Sequence, residues 1–430
     1  MTTTVALEPP RATSRRRAPT IRLERVVTVC LVLAIATLPV LTPAGPGNTA
    51  AADVTIAAFV AACGMWLYRA GLRAHVPYLL GVGLMMVAGT IAAVHVGAAW
   101  SALTVVQDLF CLLWGAGIAS AVRARPHLLA VLLRAWVWSA IAWAGVLCFG
   151  RMAGINALAG ITPKDGGRAA LTFDDPNLAG NYFLCGLAVL LATSVVRRRA
   201  ARIAGILVIL LAIIFTGSNG AAIGLALTLG VGGLLRVRRK HGVTGAVAVV
   251  ALSGALIGAV SPQISFSQIR QQAADSVQLL RDSLGRTDES SGTRQQLFSE
   301  GLRLYLGGDL IGVAPGRTKV TLKDAGAPYV KEAHNDYMAT LVERGALGGV
   351  GLVVLLATAA IRVRRATTGP HTPTARQLVP RPEFLLGLGC AFLAAGFFYE
   401  VLHFRHLWAY LGLVAGLDPG LPGWSRAWRR

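Results

Sequence analysis

The chain has 430 residues, of which 54% are hydrophobic and 14% charged, and its mean hydropathy is +0.59. These values exclude a water-soluble globular protein and indicate an integral membrane protein. The net charge of +21 would suit a nucleic-acid partner, but its distribution along the chain favours a membrane surface instead.

Apolar stretches recur along nearly the whole chain, each long enough to cross ~30 Å of hydrocarbon as a helix. About twelve stretches meet this criterion. They lie near residues 26–42, 51–68, 76–97, 100–122, 128–150, 178–196, 203–217, 220–235, 242–260, 337–361, 383–401 and 403–417. We therefore predict an all-α integral membrane protein with about twelve transmembrane helices.

The predicted spans divide the chain into five parts. A basic cytoplasmic tail (1–25) precedes nine spans (26–260), which include an exterior loop at 151–177. A large exterior helical loop (261–336), three further spans (337–417) and a basic cytoplasmic tail (418–430) follow. The first span could pass for a signal peptide, but we predict that it is retained, because its removal would break the charge alternation described next.

The basic residues alternate along the chain. If the N-terminus, with Arg15, Arg16 and Arg17, is cytoplasmic, the cytoplasmic segments contain 26 basic and 4 acidic residues, a net +22, and the remainder sums to −1. This is the positive-inside pattern. It predicts a multi-pass protein of the cytoplasmic membrane with both termini inside, and membrane lipids rather than nucleic acid as partners.

The cysteines and glycines carry no cofactor motif. All six cysteines fall in apolar segments without a CxxC pair, so neither a disulfide framework nor a metal cluster is expected. A GxxxxGK[ST] phosphate loop is also missing from the sequence. ATP hydrolysis by this chain is therefore not expected.

The large exterior loop contains three predicted elements. The piece "ISFSQIRQQAADSVQLLRDSL" (264–284) has helical apolar spacing and predicts a helix lying on the membrane surface. "SGTRQQLFSEGLRLYL" (291–306) begins with capping residues and predicts a second helix, and "GVAPGR" (312–317) predicts a turn. Loops of this length are uncommon unless they are functional.

Four stretches in a fixed order carry a family resemblance. They are "GRAALTFDDPNLAGNYF" (167–183), "TGSNGAAIGL" (216–225), "SGTRQQLFSEGLRLYLGGDLIGVAPG" (291–316) and "HNDYMATLVERGALGG" (334–349). With about twelve spans, the chain resembles the O-antigen ligase and O-antigen polymerase family of bacterial membrane glycan transferases. The resemblance implies a GT-C-like fold. It also implies transfer of a glycan from an undecaprenyl-diphosphate-type carrier to a glycan or glycolipid acceptor hydroxyl at the outer membrane face, without a metal or cofactor.

The resemblance also implies roles for individual residues. His334 would act as general base, since histidine exchanges protons near neutral pH, and Arg294 would bind the diphosphate leaving group. Where many family members have an arginine, this chain has Asn219, which cannot supply the charge. The candidate substrate-binding residues are Arg168, Asn219, Arg317, Asn335, Glu343, Asp174, Asn177 and Arg405.

Structural interpretations of the same residues stay open. Asn335 and Asp336 are also good helix N-cap types, and "DDPN" (174–177) can equally be a turn before a helix. Gly345 and Gly348 are of a size that lets helices approach closely. Asp108, an acid inside a span, predicts a buried partner such as an arginine.

Two other functions compete with glycan transfer. A flippase or transporter for lipid-linked oligosaccharide would also need many spans and a basic cavity, but its charges should lie near the membrane midplane, often in two repeated halves. A scaffold for envelope assembly would leave the ordered motifs unexplained. The sequence leaves open whether a transferase of this kind would ligate a finished chain or polymerise repeat units.

Overall fold

The computed structural model describes residues 17–42, 49–162, 167–260, 289–308, 310–328, 330, 334–368 and 372–418. Regular secondary structure in these ranges is helical. The helices are α1 (Arg17–Ala36), α2 (Ala51–Arg69), α3 (Leu79–His95), α4 (Ser101–Ala124), α5 (Pro126–Met152), α6 (Asn156–Ala159), α7 (Pro176–Ala192), α8 (Arg199–Thr216), α9 (Asn219–Val260), α10 (Glu289–Gly307), α11 (Thr318–Asp324), α12 (Asp336–Thr368), α13 (Pro373–Leu378), α14 (Glu383–Ala395) and α15 (Arg405–Leu417). A 3-10 turn, Val401–His403, precedes α15.

Each predicted span corresponds to all or part of a helix, as expected for an integral membrane helical protein. Six helices in the described ranges are long and apolar enough to cross a membrane: α2, α4, α5, α8, α9 and α12. Helices α3, α7 and α14 are apolar but shorter. The full number of about twelve crossings stays a prediction.

Several boundaries differ from the sequence prediction. Helix α1 begins at Arg17, inside the predicted tail, and α14 already ends at Ala395. The predicted spans 220–235 and 242–260 fall in the one helix α9, which is broken at Gly242 (φ 72°, ψ −170°). The predicted helix at 291–306 is confirmed within α10 and the turn at 312–317 is confirmed, whereas the piece at 264–284 lies outside the described residues.

Glycines bring α3 and α12 into direct backbone contact. A Cβ built on Gly81 would lie 2.6 Å from the Leu355 nitrogen, and one built on Gly351 would lie 2.8 Å from the Met85 nitrogen. Larger residues at either position would push the two helices apart. This contact holds α12, which begins at the HNDY motif, against the rest of the bundle.

Several contacts join loops that the charge pattern predicts to lie on the same side of the membrane. Contacts on the side predicted to be cytoplasmic join Glu24 to Arg125 and His127, Ser194 to Gln377, and Arg362 to Asp418. Contacts on the side predicted to be exterior join Thr42 to Thr172, Ser101 to Pro315, and Asp53 to Arg405.

Thiol labelling tests which group faces the cell exterior. Lys319, on α11, and Arg198, before α8, are both exposed. We expect a membrane-impermeant maleimide to label Lys319→Cys in intact cells and to label Arg198→Cys only after permeabilisation, because the charge count places them on opposite sides. The unsubstituted protein, with its six native cysteines, is the background control, and the opposite labelling pattern would invert the topology.

Candidate active site

Helix α12 is broken at Gly345, nine residues after its start. Gly345 has φ 62° and ψ −162°, and any Cβ there would collide with the Leu310 carbonyl. The loop before α11 fills the break: Ala346 N–H donates to Leu310 O at 2.9 Å, and Val313 N–H donates to Val342 O at 2.9 Å. The close-packing role expected for Gly345 is therefore wrong, because this glycine opens the helix for the loop.

The side chains just before the break bind different partners. Arg344 pairs with Asp108 of α4 (Nη2 to Oδ2, 2.8 Å), with both side chains largely buried. This confirms the arginine partner predicted for Asp108. Gly348 leaves room for the pair, since a Cβ there would collide with the Arg344 side chain.

Glu343 holds the turn that precedes α11. Its carboxylate accepts a hydrogen bond from the Thr318 hydroxyl at 2.8 Å and further bonds from the Gly316 and Thr318 N–H groups. Arg317, between these two residues, is half-buried. Glu343 thereby fixes the position of Arg317, one of the candidate substrate-binding residues.

The HNDY motif is fastened to the segment between α14 and α15. The Asn335 carboxamide oxygen caps α12 by accepting from the N–H groups of Tyr337 (2.9 Å) and Met338 (3.0 Å), and its Nδ2 donates to Phe397 O (3.2 Å). This confirms the capping interpretation for Asn335. Asp336, expected to cap as well, instead accepts from the N–H groups of Val401 and Leu402 at 2.9 and 3.3 Å.

His334 is exposed directly before this cap and has a left-handed backbone (φ 46°). A non-glycine residue in this region is uncommon, and such residues concentrate at functional sites. The Asp336 N–H donates to Gly396 O at 2.9 Å. This bond, together with the Asn335 and Asp336 side-chain bonds described above, holds the backbone next to His334 in position.

A second ion pair, which is half-buried, lies at this end of the bundle. Arg405 forms a bidentate pair with Asp53 of α2, with Nε and Nη2 each 2.9 Å from a carboxylate oxygen. His403 lies 4.0 Å from Glu400.

Arg168 joins two of the motif stretches. It is 3% exposed, its Nε donates to Thr216 O at 2.9 Å, and its Nη2 donates to Asn177 Oδ1 at 2.8 Å. Asp175 caps α7 by accepting from Asn177 N–H at 2.7 Å, so the helix-start interpretation of DDPN is confirmed, while Asp174 is exposed. In this structure Arg168 and Asn177 bind each other.

The Thr216–Gly220 turn reaches the same segment as the HNDY motif. Asn219 is exposed, and a Cβ on the next residue, Gly220, would lie 2.5 Å from the Tyr399 ring. Tyr399 is two residues before Val401, which binds Asp336. Segment 396–402 thus brings Asn219 and His334, far apart in sequence, to one end of the bundle.

Helix α10 packs beside the first half of α12. Leu297 is buried, and a Cβ on Gly301 would lie 2.9 Å from Met338. Position 294 precedes Gly301 by two helical turns, or about 10 Å. The Arg294 side chain lies outside the described residues.

Sequence reasoning missed Asp53, Thr318 and Tyr399. Asp53 had a usable signal, because it is an acid in the apolar stretch 51–68, as Asp108 is in 100–122. Thr318 and Tyr399 have no such signal. Among the described residues, no group of three or more His, Cys, Asp or Glu side chains is placed to hold a metal ion.

The fold and this polar end of the bundle define a helical integral membrane protein with two ion pairs and an exposed histidine near one helix end. The family model described as O-antigen ligase matches residues 204–353. This match confirms the resemblance inferred from the motifs, and it supports an O-antigen ligase-like membrane function and an enzyme. A search of curated proteins gave no match.

Proposed function

We propose that the protein transfers a glycan from a polyprenyl-diphosphate carrier to an acceptor hydroxyl at the outer face of the cytoplasmic membrane. The observation that carries this proposal is the setting of His334, which is exposed on a left-handed backbone beside the segment that also contacts the Asn219 turn. A fixed base at a helix end can meet an acceptor hydroxyl while the donor's lipid tail stays in the bilayer.

Glycan transfer also requires that the negative charge on the leaving diphosphate be stabilised. As the anomeric bond breaks, the diphosphate accumulates negative charge, and arginine forks stabilise it best in a partly dry setting. We assign this role to Arg294, with Arg317 as the residue that compensates for Asn219. Support for Arg317 comes from the Glu343 bonds that fix its turn.

The location of the buried charges favours transfer over transport. Asp108 is seven residues into α4, or about 10 Å from its end, and Asp53 and Arg405 lie in the first turns of α2 and α15. A transporter would place such groups near the midplane.

Ligation of one finished chain and polymerisation of repeat units use the same groups. The products that the reconstituted protein forms from lipid-linked repeat units distinguish the two reactions.

Substitution of Arg294 tests the diphosphate role. Arg294→Lys keeps the charge but loses the bidentate fork, so we expect weaker donor binding and lower activity in a folded protein, with Arg294→Ala more severely affected. Glycan transfer and donor binding by the reconstituted variants are the measurements. Arg303→Ala, at an exposed position of the same helix, is the control, and wild-type activity in Arg294→Ala would remove Arg294 from the site.

A further inference from the structure

A cluster of arginines lies at the opposite end of the bundle, on the face predicted to be cytoplasmic. Arg202 (Nη1, 2.9 Å) and Arg381 (Nη2, 2.7 Å) both donate to the Thr193 carbonyl just after α7. Arg202 also donates to the carbonyls of Leu190 and Leu191 at 2.9 and 3.0 Å. Two guanidinium groups are thus held side by side on the carboxyl end of one helix.

The positive charge of this cluster is not balanced by carboxylates of the described residues. Burial, Arg202 and Arg236 lower the pKa of Arg381 to about 10, with Glu383 acting against them. Glu383 is itself paired with Arg239 at 3.3 Å. Within the described ranges, no carboxylate lies within 4.0 Å of Arg202, Arg236 or Arg381. A helix C-terminus offsets only about half a charge.

The cluster also contains an N–H group that donates no hydrogen bond within the described residues. The Arg381 Nε is buried and has no acceptor among the described residues. A guanidinium has five N–H donors in a fork that matches phosphate oxygens. An anion at this position would therefore satisfy both the charge and the buried donor.

The position in the fold indicates where such an anion comes from. The cluster lies where α7 ends, α8 begins and α14 begins, and Arg236 follows the apolar part of the first half of α9. Ends of apolar helices lie at the level of the phospholipid headgroups, and basic pockets between helices on the cytoplasmic side bind anionic headgroups. We propose that Arg202, Arg236 and Arg381 form a binding site for the phosphate of an anionic phospholipid of the cytoplasmic leaflet, separate from the glycan-transfer site.

The test compares the protein in nanodiscs of zwitterionic lipid with nanodiscs that also contain phosphatidylglycerol. We expect phosphatidylglycerol to raise the thermal midpoint of the wild type, and we expect Arg202→Gln/Arg381→Gln to bind this lipid on the order of tenfold more weakly and to lose the rise. Taking the difference between the two lipid compositions separates lipid binding from any loss of intrinsic stability.

Two further variants keep the test decisive. Arg236 is exposed and no described hydrogen bond fixes it, so Arg236→Gln supplies a variant that should fold even if the double variant does not. Arg238→Gln/Lys240→Gln removes two charges from exposed positions of the same helix and should keep the wild-type response. Equal loss in this control, an unchanged response in the cluster variants, or no response in the wild type would overturn the proposal. So would inorganic phosphate reproducing the effect in zwitterionic nanodiscs, which would indicate a site for free phosphate.

Discussion

Replacing His334 with alanine is expected to lower turnover by ~10² to 10⁴-fold, the usual loss for an acid–base group, while donor binding stays nearly unchanged. The imidazole would take the proton from the acceptor hydroxyl, and this step does not contribute to holding the carrier. The measurement is glycan transfer by the reconstituted protein at saturating lipid-linked donor, together with donor binding measured separately.

The backbone of His334 sets the design of the controls. A backbone φ of 46° is energetically unfavourable for alanine, whereas glycine and asparagine tolerate this region. His334→Gly and His334→Asn should therefore lose as much activity as His334→Ala without added backbone strain, and free imidazole should restore part of the activity of His334→Gly. His241→Ala, at an exposed position of α9, is the matched histidine control.

The opposite kinetic pattern would contradict the assignment. If the His334 variants lose donor affinity at near-normal turnover, His334 is a phosphate or sugar ligand and the general-base role is wrong. If only His334→Ala is impaired, the backbone conformation matters and the imidazole does not.

The second large effect is expected at the ion pair between Arg344 and Asp108. Arg344→Leu should destabilise the protein by about 3–5 kcal/mol, because it leaves the Asp108 carboxylate buried without a partner. Asp108→Leu should act similarly by leaving the guanidinium unpaired. The measurement is thermal unfolding of the purified protein in detergent.

The double variant separates charge from packing. Asp108→Leu/Arg344→Leu should recover much of the lost stability, since two apolar side chains can replace a buried pair at little cost. The pair Arg303–Glu300, in which the arginine is exposed, is the control, and Arg303→Leu should change stability by no more than about 1 kcal/mol. A double variant as unstable as either single variant would show that the shape of these side chains matters more than their charges.

Local features of the sequence were sufficient to predict the helices and the family resemblance. The length of each apolar stretch fixes a helix because a membrane requires every backbone group to be bonded within the segment. Capping residues are equally local, and Asn335 and Asp175 cap their helices as their residue types predict. The cost of a charge in an apolar segment also predicted that Asp108 has a partner.

Tertiary structure decided which residues meet and where helices break. Arg405 and Asp53 are 352 positions apart, and Asp336 is 65 positions from Val401. No local pattern specifies such pairs, because they depend on how the helices pack. From the sequence alone, Gly345 resembles any small residue suited to close helix packing. In the structure, the loop that carries Leu310 fills the break in α12 at this glycine. The sequence by itself therefore determined the helices, the caps at Asn335 and Asp175 and the family resemblance, whereas the setting of His334 required the packed bundle, because contacts between distant segments hold it in position.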